Sequence, residues 1–178
     1  MVPLLLCLFI LMMPLQAAHR PLVPRPQQIQ YGNGKLALKG IAISLSSNPA
    51  PEDRVAADEL ASALAEITAE RVPVVSRTAA HGIAFHRTGA VDALPGPDDR
   101  PGPDSRESYT LRVSSSSAEI RAPSSAGLYY AVQTIRQLVE ETAGEKFLPE
   151  VEIHDWPALA YRGFMMDMSH GPLPTEEE

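Results

Sequence analysis

Cysteine is almost missing from this 178-residue chain, and the single one, Cys7, lies inside an apolar amino-terminal run. Once that run is removed, no thiol remains to form a disulfide or a thiolate metal site. Cys7 also sits within the apolar run instead of after it, which makes it a poor lipid-attachment cysteine. Positive charge is scarce too. Lys and Arg total 15 against 22 Asp and Glu, for a net charge of −7, so nothing favours phosphate backbones or anionic membranes. No glycine-rich phosphate loop is present. His81 and His86 lack the i, i+4 spacing and intervening Glu of a helical zinc-protease motif. What remains is an ordinary globular composition, 44% hydrophobic and 21% charged, with room for one domain and a targeting segment.

The apolar run, Leu4 to Met13, is shorter than the about 20 residues that cross a bilayer comfortably. It ends in small residues, Ala17 and Ala18, which suit signal peptidase, although no Lys or Arg precedes it. Residues 1–18 are therefore expected to be a signal peptide and the protein to be exported, periplasmic or extracellular. An uncleaved anchor or a buried strand is the other reading of the run.

Beyond it, His19 to Pro26 carries prolines that favour an extended lead-in. Tyr31-Gly-Asn-Gly34 reads as a turn between two short apolar stretches. Leu36 to Leu38 and Ile41 to Leu45 alternate like half-buried strands. Pro51-Glu-Asp-Arg54 opens a helix with acidic residues at its positive end. Val55, Leu60, Leu64 and Ile67 give that helix an apolar face through about Glu70, opposite Asp58, Glu59 and Glu66. Val72–Val75 and Gly82–His86 read as short strands, and the Pro- and Gly-rich stretch from Val91 to Asp104 as a surface loop. Ser108–Val113 and Ala118–Ala122 form a hairpin across Ser114–Ser117. A second helix then runs from Leu128 to about Glu141, capped by Ser124 or Ser125, with Tyr129, Val132, Ile135, Leu138 and Val139 as its apolar stripe. These elements predict an α+β fold, a small sheet with two helices on one face.

Glu150–His154 reads as a further strand, closed by Asp155-Trp-Pro157. Tyr161 to Met168 is nearly continuously apolar, the pattern of a strand buried on both faces in a parallel α/β sheet or barrel. Thr175-Glu-Glu-Glu178 has capping-box spacing. A strand, a loop and a helix start are expected to open a second, truncated domain.

Chemistry is sparse. Asp167, Ser169 and His170 are the residue types of a hydrolase triad, yet neighbours on an extended strand point to opposite faces and do not converge as a triad does. Trp156 is a sugar-stacking candidate or a residue packing at a domain junction. Arg162, in an otherwise apolar strand, needs either a salt bridge, with Asp167 as a candidate, or a polar pocket. Polar residues at the end of a barrel strand tend to be functional, which extends the interest to Asp167, Ser169 and His170.

Three blocks carry a resemblance. Leu22-Val-Pro-Arg-Pro-Gln27 is one. The second is Glu107-Ser-Tyr-Thr-Leu-Arg-Val113, with Ile120 and Ala126-Gly-Leu-Tyr-Tyr-Ala-Val-Gln-Thr134. The third is Asp155-Trp-Pro157 followed by Tyr161-Arg-Gly-Phe-Met-Met-Asp-Met-Ser169. In this order and spacing the chain resembles the β-N-acetylhexosaminidases of glycoside hydrolase family 20. The resemblance implies a non-catalytic α+β domain over residues 19–154 and, over 155–178, the first strand of a truncated catalytic (β/α)8 barrel. It implies removal of terminal N-acetylglucosamine or N-acetylgalactosamine by substrate-assisted retention, with no cofactor and with a glycan or chitooligosaccharide-type substrate as partner. It assigns Arg162 to the hydroxyls of the terminal sugar. The family's catalytic Asp-Glu pair would lie beyond Glu178, so the chain by itself is expected to be inactive. The chain departs from the family in reading Asp167-Met-Ser-His-Gly-Pro172 where members often read Asp-x-Ser-Arg-His-aromatic. Other barrel glycosidases of O-GlcNAcase-like or α-glucuronidase-like type, and a stand-alone carbohydrate-binding module, are the alternatives.

Overall fold

The computed structural model describes residues 19–46, 48–91, 98, 100–163 and 165. The expected signal segment, the capping box at Thr175, and Asp167, Ser169 and His170 lie outside them. Ten elements follow one another: β1 (Gln28–Ala37), β2 (Ala42–Ser44), α1 (Pro51–Thr68), β3 (Val74–Val75), β4 (Gly82–Arg87), β5 (Tyr109–Val113), β6 (Ala118–Ala122), α2 (Ser125–Leu138), β7 (Glu140–Thr142) and β8 (Glu145–Asp155). The strands form one mixed sheet in the order β1-β8-β5-β6-β4-β2-β3, with β7 also on β8. The β1, β8, β5 and β6 ladders are antiparallel, and those joining β6, β4, β2 and β3 are parallel. Both helices pack on each other and on the sheet. The fold is α+β, as the sequence predicts.

The core follows from alternation. In β5 and β6, Tyr109, Leu111, Val113, Ala118, Ile120 and Ala122 turn inward, while Thr110, Arg112 and Arg121 stand in solvent. Helix α2 meets that inner face with Leu128, Ala131, Val132, Ile135 and Leu138. Each fully buried Leu or Ile contributes about 1.5–3 kcal/mol by leaving water. Ser124 caps α2 by accepting the Gly127 N–H. A Cβ on Gly127 would fall 2.3 Å from the Ser108 carbonyl oxygen and 2.8 Å from Ala122 Cβ. Only glycine lets the first turn of α2 come this close to the hairpin.

Several expectations need correction. Tyr31-Gly-Asn-Gly34 is not a turn between two strands but an irregularity within β1. The ladder steps from Tyr31 opposite Val151 to Lys35 opposite Pro149. Pro149 has no N–H to offer a ladder, and a bulge is where a sheet tolerates that. The Glu150 carboxylate accepts the Gly34 N–H at 2.7 Å and fills the space a side chain on Gly32 would need. Val55 and Tyr129 are exposed instead of lying on the apolar stripes. Helix α1 faces inward with Ala56, Ala57, Leu60, Ala63 and Leu64, small residues that allow close packing. Helix α2 stops at Leu138, and the residues expected to prolong it make β7. This strand turns into β8 through Ala143 (φ 52°) and Gly144 (φ 81°), the paired positive φ of a tight hairpin.

The described part of the expected buried strand differs most. Tyr161, Arg162, Gly163 and Met165 are in no strand and are exposed, because among the described residues no neighbouring strand or helix covers them.

Candidate functional site

The site of interest is the end of the sheet where the chain leaves β8, since Arg162 lies just beyond it. Strand β8 is gripped on both sides, by β1 along one edge and by β7 and then β5 along the other. Its last residue, Asp155, accepts hydrogen bonds from the Gln27 N–H at 3.1 Å and from the Tyr109 hydroxyl at 3.2 Å. Tyr109 also meets Thr134 Oγ1 of α2 at 2.6 Å, so one hydroxyl ties β5, α2 and the exit of β8 together. Burial pushes the Tyr109 phenol far above its ordinary value, and the nearby Asp155 carboxylate adds to the shift. It stays neutral and serves as a fixed hydrogen-bonding post.

The outgoing segment crosses a loop preceding β5. The Gly102 N–H donates to the Pro157 carbonyl at 3.0 Å. That loop is closed around Asp98, whose carboxylate accepts Ser105 Oγ at 2.8 Å and the N–H groups of Arg106 and Arg100 at 2.7 and 3.1 Å. The Ser105 hydrogen bond is the main cause holding the Asp98 carboxyl below its ordinary value; partial burial opposes it. Trp156 stands edge-on to His154, ring centroids 4.8 Å apart, and its carbonyl accepts from the Gln27 side chain. It packs where the lead-in and the outgoing segment meet.

Arg162 donates to the Leu159 carbonyl at 2.5 Å and to the Glu107 carboxylate. The Glu107 hydrogen bond leads the causes raising the guanidinium above its ordinary value, with Tyr130 of α2 adding to it. The side chain of Arg162 is 43% exposed and that of Glu107 19%. The expectation of a guanidinium buried in a strand is therefore corrected: Arg162 sits at the surface, and its partner is Glu107. Asp167, the partner considered from sequence, lies outside the described residues. His81 meets the Lys39 carbonyl at 3.2 Å, and His86 meets Glu119 at 3.2 Å. Among the described residues no group of three or more His, Cys, Asp or Glu is placed to hold a metal ion.

The sequence reading missed the roles of Glu107, Tyr130 and Asp155 around this exit, and a second charged cluster at the helix starts. There Arg87, at the end of β4, donates to both oxygens of Asp53 in α1, at 2.9 and 2.5 Å. It also donates to the Ser125 hydroxyl at the start of α2, which in turn bonds Asp53 at 2.9 Å. No local motif signals either cluster, because the partners come from separate elements.

Comparison with known proteins places this geometry. The family profile described as glycosyl hydrolase family 20, domain 2, matches residues 19–156. A β-hexosaminidase of Vibrio vulnificus is 45% identical over 62 residues, covering 35% of this chain and 7% of that protein. A β-N-acetylhexosaminidase of Cellulomonas fimi is 31% identical over 148 residues, covering 83% of this chain and 28% of that protein. The chain thus spans less than a third of the length of either relative. Among solved structures, a chitobiase of Flavobacterium johnsoniae shares the fold, with a TM-score of 0.65 over 85% of this chain and 23% of that one, at 23% identity.

Proposed function

The chain belongs to glycoside hydrolase family 20, and on that premise we propose that it is the amino-terminal part of an exported β-N-acetylhexosaminidase. Its α+β domain, residues 19–154, is the non-catalytic domain, and residues 155–178 begin the catalytic barrel. The parent enzyme removes terminal N-acetylhexosamine from glycans or chitooligosaccharides. The observation that carries this reading is the family match over residues 19–156. The names of the relatives, β-N-acetylhexosaminidase among them, support it.

In this reading the substrate's own acetamide oxygen attacks the anomeric carbon, so the protein supplies a general acid and groups that position the sugar. The catalytic pair lies beyond Glu178. Arg162 is the residue of this chain that positions substrate. A guanidinium presents several donors in a fixed fork, which suits adjacent sugar hydroxyls. To serve there, Arg162 exchanges the Glu107 carboxylate for the substrate, an exchange its surface position permits. Asp155 and Tyr109 anchor the segment that delivers it.

The test is release of a chromogenic aglycone from an N-acetyl-β-hexosaminide. The product of the longer gene is expected to release it, and the 178-residue chain alone to release none. Arg162→Ala in the longer product is expected to lower kcat/KM by about 10- to 100-fold, the range for loss of hydrogen bonds from a charged group. Release by the short chain, or an unchanged kcat/KM in the variant, overturns the corresponding part.

A further inference from the structure

The outward face of β1, β8, β5 and β6 is polar, yet it divides into two halves that use their polar groups differently. Toward β6 the charges are engaged with one another. Arg112 bonds Glu152 at 2.6 Å, Arg121 bonds Glu119 at 2.5 Å, and His86 meets the same Glu119 at 3.2 Å. Toward β1 the pattern changes. Gln28 lies opposite His154, which lies opposite Thr110, and Gln30 lies opposite Glu152. The side chains of Gln28, Gln30, Thr110, His154 and Arg25 make no hydrogen bond or ion pair among the described residues. They line a groove of about 900 Å³ between the lead-in and strands β8 and β5, within the size range of small-ligand sites.

We propose that this groove binds an uncharged saccharide. Two amides, a hydroxyl and an imidazole offer both donors and acceptors without net charge, which matches a ligand made of hydroxyl groups. The two charged residues of the lining, Arg25 and Glu152, are of opposite sign. An anion would meet Glu152 and a cation Arg25, whereas a neutral ligand avoids both penalties. His154, held edge-on by Trp156, gives the groove an aromatic wall at the end nearest the exit of β8. Paired strands fix the spacing of the backbone positions that carry these groups, while the exposed Gln28 and Gln30 side chains become ordered only on binding, at a cost the ligand contacts must exceed. The groove is made by β1, β5 and β8 and does not involve Arg162. In the parent protein it would hold a neighbouring part of a glycan while the barrel acts on its end.

The choice of an N-acetylglucosamine oligomer as first probe rests on the proposed function; the saccharide class rests on the groove alone. The experiment is amide-resolved NMR titration of the 178-residue chain with chitotriose, maltotriose and inorganic phosphate. Saturable shifts are expected at Gln28, Gln30, Thr110 and His154 with chitotriose. Gln28→Ala combined with Gln30→Ala is expected to weaken binding about tenfold, a change of about 1.4 kcal/mol, while Arg121→Ala leaves it unchanged. Each variant's unfolding midpoint confirms that its fold is intact. Equal binding of maltotriose supports the saccharide site and removes any preference for the acetamide. Saturation by phosphate alone, shifts confined to other surfaces, or no saturation with either sugar overturns the proposal. None of these outcomes bears on aglycone release by the longer gene product, so the two readings fail separately.

Discussion

Arg87 and Arg162 each meet a carboxylate, and their surroundings make those pairs different objects. Arg87 is 12% exposed and Asp53 6%. Both carboxylate oxygens are taken by the guanidinium, and Ser125 engages the remaining capacity of Asp53. Arg162 is 43% exposed, and its carboxylate partner is on an irregular segment. A pair removed from water is costly to break, because the survivor is left charged without solvent or partner. A pair in contact with water exchanges its partner cheaply. The first arginine is therefore built into the body of the domain, and the second is available for another ligand.

The sharpest way to break this contrast is Asp53→Ala. Stranding Arg87 between α1, β4 and α2 is expected to cost about 3–5 kcal/mol, read as a lowered denaturation midpoint. Replacing both partners with apolar residues, Asp53→Leu with Arg87→Met, should recover much of that loss. A cost below about 1 kcal/mol for Asp53→Ala would mean that burial does not separate the two arginines.

Asp98 is an intermediate case, buried in a surface loop and held by hydrogen bonds instead of a tight ion pair. Asp98→Asn is expected to cost about 1–3 kcal/mol. Because the folded carboxyl titrates below its ordinary 3.8, its contribution is fully present above that pH. It is lost as pH falls through the lower folded value. Acid titration of the wild type should show this loss, and Asp98→Asn should abolish that part of the pH dependence.

Smaller still is Glu107→Gln, expected to change stability by no more than about 1 kcal/mol. It should free the outgoing segment, seen as faster amide exchange around Arg162. Smallest is Arg112→Ala on the open face, expected within about 0.5 kcal/mol in thermal melts. A larger loss there would show that the outer face carries structural weight.

The same division between local and distant causes decides what the sequence revealed. The β5–β6 hairpin was legible because alternation and the Ser114–Ser117 turn are both local; Ser114 N–H to the Ser117 carbonyl closes it at 2.9 Å. The start of α2 was legible in Ser124, whose capping bond spans three residues. Tyr31-Gly-Asn-Gly34 has the local pattern of a turn, and glycines that permit a turn also permit a bulge. The deciding group is Glu150, 116 residues away along the chain. Strand β7 was missed because Ala143 occupies a positive-φ position where Asn or Gly would have announced the turn. For the candidate site, sequence pointed to Arg162 through resemblance, and its partner Glu107, 55 residues away, had no local signal. Tyr161 to Gly163, exposed and in no strand, read as the start of a buried strand because apolar continuity records what a segment needs as cover, without supplying it.

The neighbouring of β1 and β8 has a consequence for how the chain comes to be folded. The first strand of the domain finds its ladder partner only in the last one, with Gln28 opposite His154. When the chain emerges from its amino terminus, β1 comes first and waits without its ladder partner until β8 follows. The helices and the β5–β6 hairpin can form from local contacts in the meantime. Closing so long a loop is entropically slow compared with such local steps. Completion is thus timed to the emergence of Asp155, when Gln27 and Trp156 lock the ends together and the segment bearing Arg162 starts to leave from a finished base.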